Sequence, residues 1–531
     1  MTSSVTTTDI NWPAENAELA KLFVPQDWLA GMEKQQRCTI RYDSSRKLLK
    51  VMDDEHSILD IINPADIIGC ALEIKLLDGL NLSSDPVACS KSDNPDAMKF
   101  DNTPKSLLPT DSKAMAVLKI FAYPQKDLSQ SSSWLPFCRS GEQNTRPNPN
   151  PPSISGPFGN RYARHRCFQV APVEDFIHIN ALIQAIRQVS SLPMSPRKAL
   201  LVLNPKSGAD NGPQVLETVV RPMFEQAGID LNVYVTKNPL DATDRAMKDD
   251  IGSFDSVVVM GGDGTVHEFL QGILSHKDTD ELLNTMKLGI VGCGTGNGLA
   301  KSLTFAANEV HSHLESVFLI AKNKTTRIDL SKYESTKKEY LSILTFSWAI
   351  IANVDIESKL IAFMGARRFD VCAVWQTLIL RSYHARLSYL SNSKCDTIID
   401  IASSMPKLTD PVPDNWETIE DNFILFWASH VTHAGVNTFS SPPSRIDDGI
   451  FQILVVRGKW SRYQMTLLLL ALETGTHIRS PAAEFIECVA YRLEPITSGS
   501  YNDLDGEEIE PGPIQAHVMP GAIQVFGQIN R

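Results

Sequence analysis

Two glycine-rich loops, each at the end of an apolar run, hold the residues best suited to chemistry. The first is Val257-Val258-Val259-Met260-Gly261-Gly262-Asp263-Gly264-Thr265. The second is Leu288-Gly289-Ile290-Val291-Gly292-Cys293-Gly294-Thr295-Gly296-Asn297-Gly298-Leu299-Ala300. Strand, loop and helix in that order point backbone N–H groups at an anion. Two such loops, one βα unit apart, suggest a polyphosphate held from two sides. A third loop, Asn204-Pro205-Lys206-Ser207-Gly208, ends another apolar run and adds a cation and a hydroxyl. Neither of the first two fits the Walker-type phosphate loop or the dinucleotide fingerprint. Asp263 is the chemical oddity: a carboxylate among phosphate-binding amides would repel phosphate, so it is placed to meet a nucleophile. Two plainer readings stand beside this one. The glycines suit any tight strand-to-helix turn, and Asp before a helix is a common N-cap.

The elements that must position these loops follow from periodicity. Residues 198–203, 231–235, 254–260 and 287–291 are apolar strands, and helical patterns cover 215–227 and 242–248. Buried strands alternating with helices imply a parallel sheet covered on both faces, with ligands at the carboxyl ends of its strands. Beyond about Leu341 the strands lengthen, as at 423–429, 450–456, 490–493 and 522–526, and an antiparallel, β-sandwich-like domain is expected. Residues 406–422 are expected to form an acidic, exposed connection. The first 195 residues differ again. Strand-like runs at 38–42, 48–52 and 116–120 precede a helical stripe of Phe176, Ile179, Leu182, Ile183 and Ile186. A pleckstrin-homology-like barrel and a generic α+β domain both fit that order. Polar stretches at 81–113 and 130–157, the second with Pro147-Asn148-Pro149-Asn150-Pro151-Pro152, are expected to be disordered. The expected division is therefore 1–195, an α+β regulatory or membrane-targeting region; 196–338, a nucleotide-binding domain; and 339–531, a β-rich substrate domain.

Composition narrows the function classes. The 531 residues exceed one ordinary domain. A formal charge of -12 argues against nucleic acid held by bulk electrostatics, so any phosphate grip must be local. Nine cysteines without a CxxC pair fit a reducing compartment with neither a disulfide framework nor structural zinc. The polar N-terminus lacks a signal-peptide core, and no apolar block is long enough to span a bilayer. A cytoplasmic protein with peripheral contact to membranes is expected.

The motif order resembles a known family. Gly-Gly-Asp-Gly-Thr at 261–265 followed by Gly-Thr-Gly-Asn at 294–297 is similar to the diacylglycerol kinase catalytic-domain superfamily. Residues 348–358, 381–390 and 491–495, with Asp505-Gly506-Glu507, resemble its sphingosine kinase subgroup. The resemblance runs from about Arg197 to Arg531.

It implies a lipid kinase in which Asp263 is the catalytic base, accepting the proton of a lipid's primary hydroxyl as that oxygen attacks the γ-phosphorus of ATP. Gly262, Gly264, Thr265, Gly294, Thr295 and Gly296 would cradle the triphosphate. Asn204, Lys206, Ser207 and Thr236 would contact nucleotide, Arg368 would supply charge, and Asp505 would reach toward the nucleotide or its Mg²⁺, although a plain Asp-Gly hairpin is an equal reading of that turn. How the metal is held is left open. Asp355 matches the residue that selects the ammonium of a sphingoid base, with Thr345 also on the substrate side. The alkyl slot would draw on Phe369, Val374, Leu378 and Ile379, and on Met465, Leu468 and Leu472; such stripes are also ordinary core. A homodimer is a further expectation. The chain departs from the subgroup at Gly261, where serine is frequent, at Asn353, which replaces an acid, and at Ala362, where animal relatives carry a phosphate-contacting arginine.

Overall fold

The computed structural model describes residues 18–24, 36–43, 48–53, 58–76, 114–125, 161, 163–170, 183–184, 186–188, 190–193, 195–207, 211–365, 367–394 and 401–529. They fall into two compact units, one within residues 1–153 and 162–194 and the other within 154–161 and 195–531.

The first unit is a seven-stranded antiparallel sheet. Its strands are β1 (Glu18–Val24), β2 (Gln36–Asp43), β3 (Leu48–Asp53), β4 (Ile58–Ile62), β5 (Ile67–Leu76), β6 (Ala114–Ala122) and β7 (Arg164–Val170). The order is β4-β3-β2-β1-β7-β6-β5, so the first strand pairs with the last. Leu49, Ile62, Ile67, Ile120 and Tyr123 are buried in it. The polar stretches 81–113 and 130–157 lie outside the described residues. Phe176, Ile179 and Leu182 of the helical stripe also lie outside; residues 183–184 and 186–188 are helical, with Ile186 buried.

In the second unit, β8 (Arg197–Leu203), β9 (Ile229–Val235), β10 (Ser256–Gly261) and β11 (Lys287–Gly292) form a parallel sheet in the order β9-β8-β10-β11. β10 is buried at all six positions, as a central parallel strand must be. Register decides function here: Met260 lies opposite Leu203 and Gly261 opposite Gly292. The three loop-bearing strand ends are thus level. Leu200, Val202, Val257, Val259, Leu288 and Ile290 pack on Val266, Phe269, Leu270 and Ile273 of the helix Asp263–Leu274. The buried guanidinium of Arg197 donates to the carbonyls of Ile320 and Ala321, closing the C-terminal end of helix His313–Ala321.

The chain then builds β12 (Thr325–Glu334), β13 (Glu339–Ser342), β14 (Thr345–Ala349), β15 (Tyr383–Ser391), β16 (Glu417–Ser429), β17 (Phe451–Arg457), β18 (Glu484–Pro495), β19 (Asn502–Leu504), β20 (Glu507–Ile509) and β21 (Ile514–Phe526). Their pairings with one another are antiparallel, around a core of Tyr333, Phe346, Trp348, Phe423, Phe426, Phe451 and Tyr491. The last strand returns to the first domain: Lys287 and Leu288 of β11 pair in parallel with Gln524 and Val525 of β21, which also pairs with β12 and β18. Hydrogen-bonded sheet therefore runs unbroken across the expected 338/339 boundary. Residues 417–422, expected in an exposed connection, are instead the first half of β16 and pair with β15, because long twisted strands carry polar ends beyond the covered part of a sheet. Among the described residues no helix is long and apolar enough to cross a membrane.

Helix Asp263–Leu274 is held close to helix Asp241–Ala246 by Gly272. A Cβ there would meet the Thr243 carbonyl oxygen at 2.4 Å and the Ala246 Cβ at 2.6 Å. Gly272→Ala is expected to destabilise the protein by about 1–3 kcal/mol through overpacking. Gly252→Ala, whose new methyl would find its nearest neighbour at 3.8 Å, should be close to neutral. Urea unfolding of both variants checks this pair; equal midpoints would contradict it.

Candidate functional site

The three loops meet because the strand ends are tied to one another. Asn204 donates its N–H to the Met260 carbonyl, and Cys293 donates to Gly261. A Cβ on Gly294 would lie 2.5 Å from the Gly262 Cα, so only a glycine lets the two loops touch backbone to backbone. Within the cluster the Ser207 hydroxyl accepts from the Gly262 N–H at 2.6 Å, and the Asn204 amide donates to the Thr265 hydroxyl at 3.1 Å. Asn204 also accepts from the Lys206 N–H. Thr236 is buried beside these groups, its N–H on the Leu203 carbonyl. Gly208 lies outside the described residues.

Asn297 organises the second loop. It takes the left-handed conformation, φ 52°, and its side-chain amide both accepts from the Gly294 N–H at 2.7 Å and donates to the Gly294 carbonyl at 2.8 Å. Of the amides expected to cradle phosphate, those of Gly262 and Gly294 are therefore engaged inside the loops, by Ser207 and Asn297. Asn297 had no assigned role in the sequence; its place between Gly296 and Gly298 is the signal for one, since Asn is the residue besides glycine that most readily takes positive φ.

Asp263 starts its helix with Gly262 as the N-cap, and its side chain turns to another helix. Its oxygens accept from the Gly298 N–H at 2.8 Å and the Leu299 N–H at 3.2 Å, the first amides of helix Gly298–Ala306. The capping alternative is thus met in altered form: Asp263 caps a helix, though not its own. Burial pushes this carboxyl up to about 6; the two amides oppose that, while the charges of Asp505 and Asp355 add to it.

Asp355, on helix Ile350–Ser358, is likewise raised to about 6, first by burial and then by Glu507, against the pull of Lys359 and Arg368. Lys359 donates to the Gly506 carbonyl at 2.9 Å and pairs with Glu507 at 3.0 Å. A Cβ on Gly264 would fall 2.5 Å from Glu507 Oε1, so this carboxylate overlies the first glycine loop. Sequence reasoning gave Lys359 and Glu507 no role. Glu507 sat in a recognised motif, whereas Lys359 is one surface-type lysine among many. Arg368, half-buried, stacks its guanidinium 4.6 Å from the Phe369 ring centre, and its Nε has no hydrogen-bond partner.

Asp505 is placed differently from the expected nucleotide contact. It is buried with φ 56°, and its oxygens accept from the Ser342 hydroxyl at 2.6 Å, from the Leu344 and Thr345 N–H groups at 3.1 Å each, and from the more distant Ile343 N–H. His267 Nδ1 lies 3.1 Å away. Asp505 thereby ties the 342–345 turn to the helix that carries Asp263, and Thr345 is fixed at that junction. Among the described residues no three His, Cys, Asp or Glu side chains converge to hold a metal ion.

The two apolar stripes part company. Met465, Leu468 and Leu472 are buried against Ile350, Leu425, Trp427, Leu454 and Val456. On helix Arg367–Ile379 the buried residues are Cys372, Gln376 and Thr377, while Val374 and Leu378 are exposed and Phe369 is half-buried. The expected stripe there is corrected: the buried side of this helix, which packs against neighbouring helices, carries Cys372, Gln376 and Thr377, and much of its apolar side faces outward.

The family model described as the diacylglycerol kinase catalytic domain matches residues 198–333, and the YegS C-terminal NAD kinase beta sandwich-like domain matches 418–527. Sphingosine kinase 1 of Arabidopsis thaliana is 28% identical over 315 residues, covering 56% of this chain and 64% of its own length. Sphingosine kinase 1 of Rattus norvegicus is 28% identical over 343 residues, covering 61% of this chain and 89% of the rat protein. A solved diacylglycerol kinase from Bacillus anthracis aligns at 18% identity with a TM-score of 0.42, over 62% of this chain and 97% of that one. By its loop motifs, their order and these matches, the chain carries a diacylglycerol kinase catalytic domain over residues 198–333 and is similar to sphingosine kinases.

Proposed function

We propose that this protein transfers the γ-phosphate of ATP to the primary hydroxyl of a sphingoid long-chain base, giving the base 1-phosphate. The observation that carries the reading is the position of Asp263: one half-buried carboxylate at the junction of three loops, pre-oriented by two helix amides and electrostatically linked to Asp355. In the proposed reaction the hydroxyl gives its proton to an Asp263 oxygen as the oxygen bonds to phosphorus and the bond from phosphorus to the bridging oxygen breaks. The N–H groups around Gly264, Thr295 and Gly296, with Lys206, would hold the phosphates. Arg368 and Lys359 add positive charge on the same side.

Mg²⁺, when bound, would neutralise charge between phosphate oxygens. It takes few protein ligands and keeps phosphate and water oxygens, so a site without a three-residue protein cage suits it. Glu507, overlying Gly264, is the carboxylate that would share it, which leaves Asp263 to take the proton. Asp355 would pair with the substrate ammonium, a group that ceramide and diacylglycerol lack. A charge-assisted hydrogen bond of this kind is worth about 1.5–3 kcal/mol, roughly ten- to a hundred-fold in preference.

Peripheral contact with membranes fits a lipid substrate. Leu360 and Phe363 are 84% and 88% exposed, and Val374, Trp375, Leu467 and Leu470 extend the apolar surface over two helices joined by the Arg462 bond to the Leu378 carbonyl.

Asp263→Asn should abolish transfer of labelled phosphate to sphingosine while leaving the unfolding midpoint nearly unchanged. Because the base must be deprotonated, wild-type kcat/KM should rise with pH and level off above about 6. A flat profile from pH 5 to 8, or residual turnover in the variant, would count against the base assignment. Asp355→Ala should lose sphingosine and dihydrosphingosine at least ten-fold more than any activity on diacylglycerol; equal loss on every lipid points to a structural role. In vesicle sedimentation, Leu360→Glu with Phe363→Glu should weaken binding, and unchanged binding would remove this surface as the docking face.

A further inference from the structure

Three residues stand in one row across three adjacent strands: Asp503 of β19, Ser347 of β14 and Trp427 of β16. Directly opposed residues share a face of the sheet, with Cβ atoms about 5 Å apart. Phe346, Trp348, Phe426 and Leu504, one position away, belong to the aromatic core on the other face. The row therefore faces the side where Trp427 packs with Met465, Leu468 and Leu472, the stripe proposed for the alkyl chain. Thr345, two residues before Ser347, looks to the same side.

This row is apolar in surroundings and polar in content. Asp503, Ser347 and Trp427 are at most 5% exposed. The Ser347 hydroxyl donates to Asp503 Oδ2 at 2.7 Å. Two atoms are left over: Asp503 Oδ1 and Trp427 Nε1 are buried without a hydrogen-bond partner. An orphaned acceptor and an orphaned donor in one row are costly, and each should find a partner when the site is filled. An ammonium can only donate, so it would leave the indole N–H unpaired. A hydroxyl can both accept from an indole N–H and donate to a carboxyl oxygen, so it matches what the two atoms lack. Burial and the neighbouring Asp355 raise the Asp503 carboxyl above its usual range, which favours a neutral hydroxyl partner over a second cation.

We propose that Asp503, Ser347 and Trp427 form a specificity subsite for a further hydroxyl on the substrate chain, next to the head group bound by Asp355 and Thr345, so that the enzyme prefers 4-hydroxylated sphingoid bases. This rests on the sphingoid-base reading above. An internal water bridging the two orphaned atoms is the rival, and substrate comparison separates the two.

Steady-state kinetics of the full-length protein on phytosphingosine, which carries the 4-hydroxyl, and on dihydrosphingosine, which differs by lacking it, are the test. The wild type should favour phytosphingosine in kcat/KM. Trp427→Phe removes the donor while keeping the ring, and Asp503→Ala removes the acceptor; each should lower the phytosphingosine-to-dihydrosphingosine ratio by about ten-fold. Should Asp503→Ala not fold, Trp427→Phe with Ser347→Ala still decides the question. Equal loss on both bases, or a wild type without preference, overturns the subsite while leaving the kinase reading intact. No transfer to either base overturns the kinase reading and the subsite with it.

Discussion

The contact on which this site depends is between the Asp263 carboxylate and the first two amides of helix Gly298–Ala306. It joins the first glycine loop to the helix after the second. Those amides carry the positive end of the helix, so the carboxylate is held in place by the partial charge that favours an anion. At the same time the site is dry enough to push the carboxyl up to about 6. The two effects oppose each other, and desolvation is the larger. In the proposed role of base, a carboxyl with an ordinary pKa would bind a proton weakly; one near 6 is better matched to taking a proton near neutral pH. The glycines at 262 and 294 matter because their loops must touch for that carboxylate to reach across.

The second constraint is the return of β21. By pairing with β11 on one side and with β12 and β18 on the other, the C-terminal strand welds the parallel and antiparallel parts into one sheet. Asp505 acts at the same junction on a smaller scale, collecting donors from 342–345 and lying beside His267 on the helix that carries Asp263. A buried carboxylate saturated in this way gives rigidity where a single side-chain contact would not. Asp355, Lys359 and Glu507 then face the loops from elements that this weld holds still.

Acid and base are distributed unevenly around the site. Among the described residues, Asp263, Asp355, Asp503, Asp505 and Glu507 are set against Lys359, Arg368 and Lys206. Repulsion among buried carboxylates is part of why Asp263, Asp355 and Asp503 are all raised. A substrate that brings its own positive charge would relieve this, which is the physical argument behind the proposed cationic lipid.

Much of this was legible in the amino-acid order. Periodicity placed β8 to β11, and the residue types at 261–265 and 292–298 marked the loops, because parallel strands and phosphate-facing turns each demand a narrow set of residues. Asp263 stood out as the one acid among them. What periodicity could not show was direction: helix Arg367–Ile379 and helix Arg462–Ala471 have similar apolar content, yet one turns much of it outward and the other packs Met465, Leu468 and Leu472 inside. Nor could it show that Asp505 points inward to a turn, or that Lys359 reaches Glu507. Local pattern depends on neighbours a few residues apart and is written in sequence. The side-chain partners of Asp263, Asp505 and Lys359 lie 35 to 238 positions away. Only the register of the strands, closed by β21, decided which of them would meet.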